Sequence, residues 1–208
     1  MRLFVALRPP EPVLLHLDLA LRTVAVRVDT GDRSSPVRWT EVENRHLTVA
    51  FFGEVADALV DDLDDLDDEI DAAVTGVEPF ELHLRGAGVF AHRTLWVGVG
   101  GDVDALRRLS DAVGRAGADL VARSDDRVCS RPHLTVGRVD PSIRRLRSRW
   151  TRQAQPEDPA DALAGALAVY AGPSWLVEDV HLLASQPGAG RGGGPLHTTI
   201  RTHRLAAA

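Results

Sequence analysis

The chain has 208 residues, 44% hydrophobic and 26% charged, the make-up of an ordinary globular protein long enough to bury a core. Its 24 basic residues, all arginine, stand against 30 acidic ones for a net charge of −6, which excludes a protein that coats nucleic acid with its whole surface but leaves room for a local anion pocket. With no lysine, chemistry that carries a nucleotide or Schiff base on that residue lacks its nucleophile. The single cysteine, Cys129, can neither close an internal disulfide nor anchor a zinc or iron–sulfur site alone, and it reads as a small buried apolar side chain.

Apolar runs are short and cut by charges, so no membrane span and no secretory leader is read, and a cytoplasmic location is expected. Arg2-Leu3-Phe4-Val5-Ala6-Leu7 has the strand-forming run of a first strand, and Pro9, Pro10 and Pro12 open an apolar-periodic helix from Val13 to about Val28. A turn-rich stretch over 29–36 leads to Val37-Arg38-Trp39, a short polar loop and a strand from His46 to Phe52 ending at Gly53. A helix over about 56–74 sets Leu59, Leu63, Leu66, Ile70 and Val74 on one face. Its nine acidic residues, from Asp57 to Asp71, read as a solvated face turned away from any anion site, in preference to a metal cluster.

The same order then returns. A strand over Thr94–Val99, a helix from about 102 to 120 and a polar loop lead to the strand His133-Leu134-Thr135-Val136. The two copies of His-Leu-Thr-Val lie 87 residues apart, from 46 to 133, and each is followed by a helical segment and a further strand candidate, 80–85 in the first half and 176–184 in the second. The chain is therefore expected to form one bilobal α+β domain over residues 1–208, built by internal duplication. An arginine-rich stretch at 144–152 around Trp150 is a candidate for RNA backbone contact or a solvated helix face. The glycines at 188, 190, 192, 193 and 194 form a mobile loop, read as a disordered tip between strands in preference to an anion cradle.

The repeated motif carries the chemistry. Side chains alternate along a strand, so His46 and Thr48 share one face while Leu47 and Val49 enter the core, and His133 and Thr135 repeat the arrangement. Two such pairs facing a groove surround one phosphate. A neutral imidazole can take a proton from water and an imidazolium can give one to a leaving oxygen. Threonine hydroxyls can hold the nonbridging oxygens without a metal, and Arg138 can add a charge-assisted donor. Neither motif has a zinc-binding spacing. His16, His83, His92, His181, His197 and His203 do not recur in matched contexts and read as structural or surface residues.

The stretches Arg45-His46-Leu47-Thr48-Val49-Ala50-Phe51-Phe52-Gly53-Glu54-Val55 and Arg131-Pro132-His133-Leu134-Thr135-Val136-Gly137-Arg138 resemble the paired His-x-Thr-x signatures of the 2H phosphoesterase superfamily, and within it the RNA 2′,3′-cyclic phosphodiesterases historically called 2′-5′ RNA ligases. The likeness spans nearly the whole chain, including the opening strand, Val37-Arg38-Trp39, Gly88-Val89-Phe90 and Leu95-Trp96. It implies two similar lobes with antiparallel sheets about a pseudo-twofold, an active groove between them, no metal or other cofactor, and hydrolysis of RNA 2′,3′-cyclic phosphate ends to a 2′-phosphate. His46 would protonate the leaving 3′ oxygen and His133 would activate water, with the labels interchangeable; Thr48, Thr135 and Arg138 would hold the phosphate. The expected partner is RNA or a nucleotide with a cyclic phosphate end, with no membrane and no obligatory protein partner, the chain acting as a monomer. Family members often carry a tyrosine near the start of the last strand, where this chain reads Gly194-Pro195-Leu196-His197, which leaves nucleobase stacking open. In the same pocket, 2′-5′ ligation, 2′-5′ phosphodiester cleavage and hydrolysis of ADP-ribose cyclic phosphate are the rival reactions, and a noncatalytic nucleotide- or RNA-binding module is the rival of another class.

Overall fold

A computed structural model describes residues 2–28, 37–54, 62–116, 131–139 and 159–206. Cys129, the turn-rich stretch 29–36, the first residues of the helix expected from 56 with Asp57, Leu59 and Asp61, the end of the helix expected to reach 120, and the arginine-rich stretch 144–152 all lie outside them.

In chain order the elements are β1 (Arg2–Leu7), α1 (Glu11–Val28), β2 (Val37–Trp39), a 3₁₀ turn (Val42–Asn44), β3 (Leu47–Glu54), α2 (Asp62–Val74), β4 (Phe80–Phe90), β5 (Thr94–Gly101), α3 (Val103–Ala116), β6 (His133–Val139), α4 (Pro159–Ala166), β7 (Ala171–Val177), β8 (Asp179–Gln186), a second 3₁₀ turn (Arg191–Gly193) and β9 (Leu196–Arg204). The α+β class is borne out. Helix α1 starts where Pro10 accepts from the Val13 amide and buries Val13, Leu14, Leu17, Leu21 and Val24, the i, i+3/i+4 stripe of an amphipathic helix. Helix α3 is capped by Asp102, whose Oδ1 accepts from the Ala105 amide at 2.8 Å, and it buries Leu106, Leu109 and Val113. Leu66, Ile70 and Val74 of α2 are buried as the periodicity requires.

The described strands form one antiparallel sheet in the order β7-β4-β5-β6-β3-β1-β8-β9, with β2 paired to β6 off that path. Read outward from the seam between β3 and β6, the sheet runs β3-β1-β8-β9 on one side and β6-β5-β4-β7 on the other. The strand that follows His46 and the strand that begins at His133 therefore meet at its centre. The continuous core lies beneath them, against the helices, and includes Leu47, Val49, Leu134 and Val136, each at most 1% exposed.

The acidic face of α2 departs from its expectation in one respect. Asp64 and Asp67 pair with Arg201, and Asp67 and Asp71 lie 3.2 and 3.4 Å from the ring nitrogens of buried His203. These carboxylates fasten α2 to β9 instead of facing only solvent. None of them lines the cleft described below.

Candidate active site

The register at the seam decides the geometry. Leu47 and Leu134 are direct antiparallel partners, and the residues flanking them, His46 and Thr48 in one motif and His133 and Thr135 in the other, turn to the face opposite these buried leucines.

Both imidazoles are oriented the same way. Nδ1 of His46 donates to the Asn44 carbonyl at 2.8 Å and Nδ1 of His133 to the Arg131 carbonyl at 2.9 Å. A carbonyl can only accept, so each Nδ1 carries a proton and each Nε2 is left for chemistry. The loop before His46 is fixed by a buried ion pair. Arg45, 6% exposed, binds Asp18 of α1 through Nη1 and donates from Nε to the Thr40 carbonyl at 3.1 Å.

A paired irregularity then reverses the strand alternation. Pairing of β1 with β3 slips between Val5 and Ala6, whose partners are Ala50 and Thr48; pairing of β5 with β6 slips between Leu95 and Trp96, whose partners are Gly137 and Thr135. Each slip inserts an extra residue, Val49 or Val136, and turns the following side chains over. The residue five places after each histidine thus joins the histidine's face: Phe51 in the first motif, Arg138 in the second. Strict alternation would have sent Arg138 inward with Leu134 and Val136, whereas it is exposed and lines the cleft.

That cleft, about 810 Å³, is lined by His46, Thr48, Thr135 and Arg138 among others. His133 is half-buried and is not one of its lining residues; its ring packs edge-on against Phe90 at 4.8 Å and Trp96 at 6.2 Å. It is close enough to His46 to act on that ring electrostatically.

His197, read from sequence as a structural or surface residue, lines the cleft. Its ring meets His46 edge to face at 5.1 Å and Phe4 at 5.2 Å, and Phe4 lies 4.9 Å from His46. Its Nδ1 is buried and has no hydrogen-bond partner among the described residues. The departure from tyrosine at the start of β9 was its only signal in the sequence. Burial, then His197, Arg8 and His133, pull the His46 pKa down to about 4, against the opposing pull of the Asn44 carbonyl. Burial, followed by Arg8, also lowers His197. Both shifts favour the uncharged ring at neutral pH.

The glycine loop is likewise not a free tip. Arg38 donates to the Gly192 carbonyl, Asn44 Nδ2 to the Pro195 carbonyl at 3.0 Å, and the Gly190 amide closes on the Gly194 carbonyl at 2.8 Å. Gly188, Gly192 and Gly193 adopt φ of +77°, +59° and +73°, a region open to glycine at little cost. The loop is thereby laid along the cleft wall, and Asn44 joins it to the carbonyl that orients His46. Among the described residues no group of three or more metal-ligating side chains converges, and no helix is long and apolar enough to cross a membrane.

Residues 25–187 match the model of the 2′-5′ RNA ligase superfamily. The chain is 30% identical over 198 residues to an RNA 2′,3′-cyclic phosphodiesterase of Methanothermobacter thermautotrophicus, covering 92% of this chain and 96% of the relative. It is 31% identical over 122 residues to one from Aeropyrum pernix, covering 57% and 66%. Among solved structures, a protein of Thermus thermophilus named TT0787 superposes with a TM-score of 0.65 at 21% identity over 99% of this chain and 98% of that one. Escherichia coli LigT complexed with 3′-AMP superposes at 0.63 and 20% over 98% and 96%. The resemblance drawn from the two histidine motifs is borne out: the chain belongs to the 2′-5′ RNA ligase superfamily.

Proposed function

We propose that this protein, a single bilobal unit, opens 2′,3′-cyclic phosphates at RNA ends to leave a 2′-phosphate, by paired-histidine acid–base catalysis without a metal. The observation that carries this reading is the seam at Leu47 and Leu134, which joins the two motif strands, together with the Nδ1 bond of each histidine to a backbone carbonyl, which leaves Nε2 as the atom for proton transfer. The relatives that share the fold and bear the name RNA 2′,3′-cyclic phosphodiesterase support the same reading.

In this reading Nε2 of His133 takes a proton from water as its oxygen bonds to phosphorus. The bond from phosphorus to the 3′ oxygen breaks, and His46 delivers a proton to that oxygen. Thr48 and Thr135 donate to the nonbridging oxygens, and the Arg138 guanidinium offsets the charge that develops there. His46 is neutral in the free protein, so it must gain its proton together with the substrate. The phosphate monoanion supplies the cause, since a negative charge beside the ring favours its protonated form against the burial that chiefly depresses His46.

The test is incubation in EDTA with nucleoside 2′,3′-cyclic monophosphates and with a short RNA ending in a cyclic phosphate, followed by identification of products. A 2′-phosphate supports the reading. A 3′-phosphate would overturn the assigned geometry, and binding without turnover would favour a nucleotide-binding module.

A further inference from the structure

Arg38 of β2 and Arg138 of β6 are direct antiparallel partners. Both are exposed, and both line the cleft. Like charges placed opposite one another repel, and an anion beside them removes the repulsion. Arg191, at the tip of the glycine loop, lines the same cleft and is also exposed. The loop is held within reach by Arg38 itself: Cβ positions built on Gly192 and Gly194 fall 3.8 and 3.7 Å from Arg38 Nη2.

Charge accounting sharpens the point. In a chain of net charge −6, the ion pairs among the described residues engage Arg2, Arg45, Arg107 and Arg201, and Arg38, Arg138 and Arg191 are in none of them. Glu41 is the one carboxylate among the described residues that line the cleft. Three guanidinium groups without an ion pair among the described residues thus stand along one cleft. One reacting phosphate, held by Thr48, Thr135 and Arg138, does not need the other two. The cleft volume of about 810 Å³ also lies toward the upper end of the roughly 300–1,000 Å³ usual for small-molecule sites.

Resting on the cyclic phosphodiesterase reading above, we propose that Arg38 and Arg191 form a second phosphate subsite beside the reacting one, and that the protein selects cyclic-phosphate ends that carry a further phosphate. That phosphate is either the internucleotide phosphate of an RNA chain or a 5′-phosphate on a free nucleotide. Arg38 holds it from the strand and Arg191 from the loop.

The experiment compares kcat/KM for three substrates of one base: the nucleoside 2′,3′-cyclic monophosphate, its 5′-phosphorylated form, and the dinucleotide ending in the cyclic phosphate. Arg191→Ala is the informative variant, because the Arg191 side chain is exposed and makes no hydrogen bond or ion pair among the described residues; Arg38→Ala also releases the loop and serves as a second variant. The wild type should prefer a substrate with the second phosphate by at least about tenfold. Arg191→Ala should remove most of that preference, flatten its salt dependence and leave the cyclic mononucleotide unchanged. A gain for the dinucleotide alone identifies RNA as the source, and an equal gain for the 5′-phosphorylated mononucleotide identifies a free nucleotide. Equal rates on all three substrates, or an Arg191→Ala loss uniform across them, would overturn the subsite. If no substrate is hydrolysed, the phosphodiesterase reading fails separately, and equilibrium binding of the same three compounds to wild type and Arg191→Ala decides the subsite.

Discussion

His46 and His197 meet edge to face with ring centres 5.1 Å apart, and Phe4 packs against both. One imidazole is thus shielded from water by another, a device that holds it neutral. Replacing His197 with Phe keeps the shield and removes a ring that, when protonated, opposes a charge on His46, while His197→Ala also admits water. Both variants should raise the His46 pKa from about 4 toward its ordinary 6.5. The alanine variant should raise it further, because burial is the larger cause. NMR titration of the His46 ring checks this, and an unmoved pKa in both variants would contradict it.

Binding should couple to protons. A bound monoanion raises the His46 pKa, so from about pH 4 upward to the new value the complex holds more protons than the free protein. Affinity therefore falls as pH rises through that window, by up to about tenfold per unit for one proton. The rate constant kcat/KM reports the free protein and should decline over the same range on its basic side. Calorimetry in buffers of different ionisation enthalpy, with the His133→Ala variant and a nucleoside 2′,3′-cyclic monophosphate, should show net proton uptake at about pH 7. Binding without uptake would mean that His46 stays neutral in the complex, and the acid and base labels would exchange.

The Arg45–Asp18 pair holds the segment that presents His46. Asp18→Ala leaves a buried guanidinium without its carboxylate, a change that costs about 3–5 kcal/mol, and kcat should fall as the His46 ring loses its fixed approach. Urea denaturation of Asp18→Ala checks the first part. The double variant Asp18→Leu with Arg45→Met, which removes both charges, should recover most of the stability.

On the second motif, Gly88 lets the Trp96 indole lie flat against the backbone; a Cβ there would collide with Trp96 Cζ2. Gly88→Ala should displace Trp96 and loosen the contacts that Trp96 and Phe90 make with His133. The expected cost is about 1–3 kcal/mol of stability with a further loss in kcat. Trp96 fluorescence should shift; an unchanged spectrum would show that the indole does not rest there.

The strands that carry the two His-x-Thr motifs were legible because their signal is local. Alternation alone sends Leu47 and Val49 inward and His46 and Thr48 outward, and the repeated tetrapeptide marks the second copy. Alternation could not account for Arg138, whose correct placement depends on the slip at Val136, a feature of strand pairing that leaves no local signature. The partnership of His197 with His46 joins β9 to the loop before β3, a contact across 151 positions, from 46 to 197, that no periodicity encodes. The glycine loop was misjudged for a related reason: its composition permits mobility, but Arg38 and Asn44, which tie it down, lie about 150 residues earlier in the chain.

The central claim is that His46 and His133 act as one acid–base pair, and single-turnover hydrolysis of a 2′,3′-cyclic phosphate end in EDTA by wild type, His46→Ala, His133→Ala and the double variant tests it most directly. Each single variant should lose about 10²- to 10⁴-fold in rate, and the double variant should lose far less than the product of the two, because residues that act as a unit are not additive. Either single variant retaining a rate within a few fold of wild type would contradict the account.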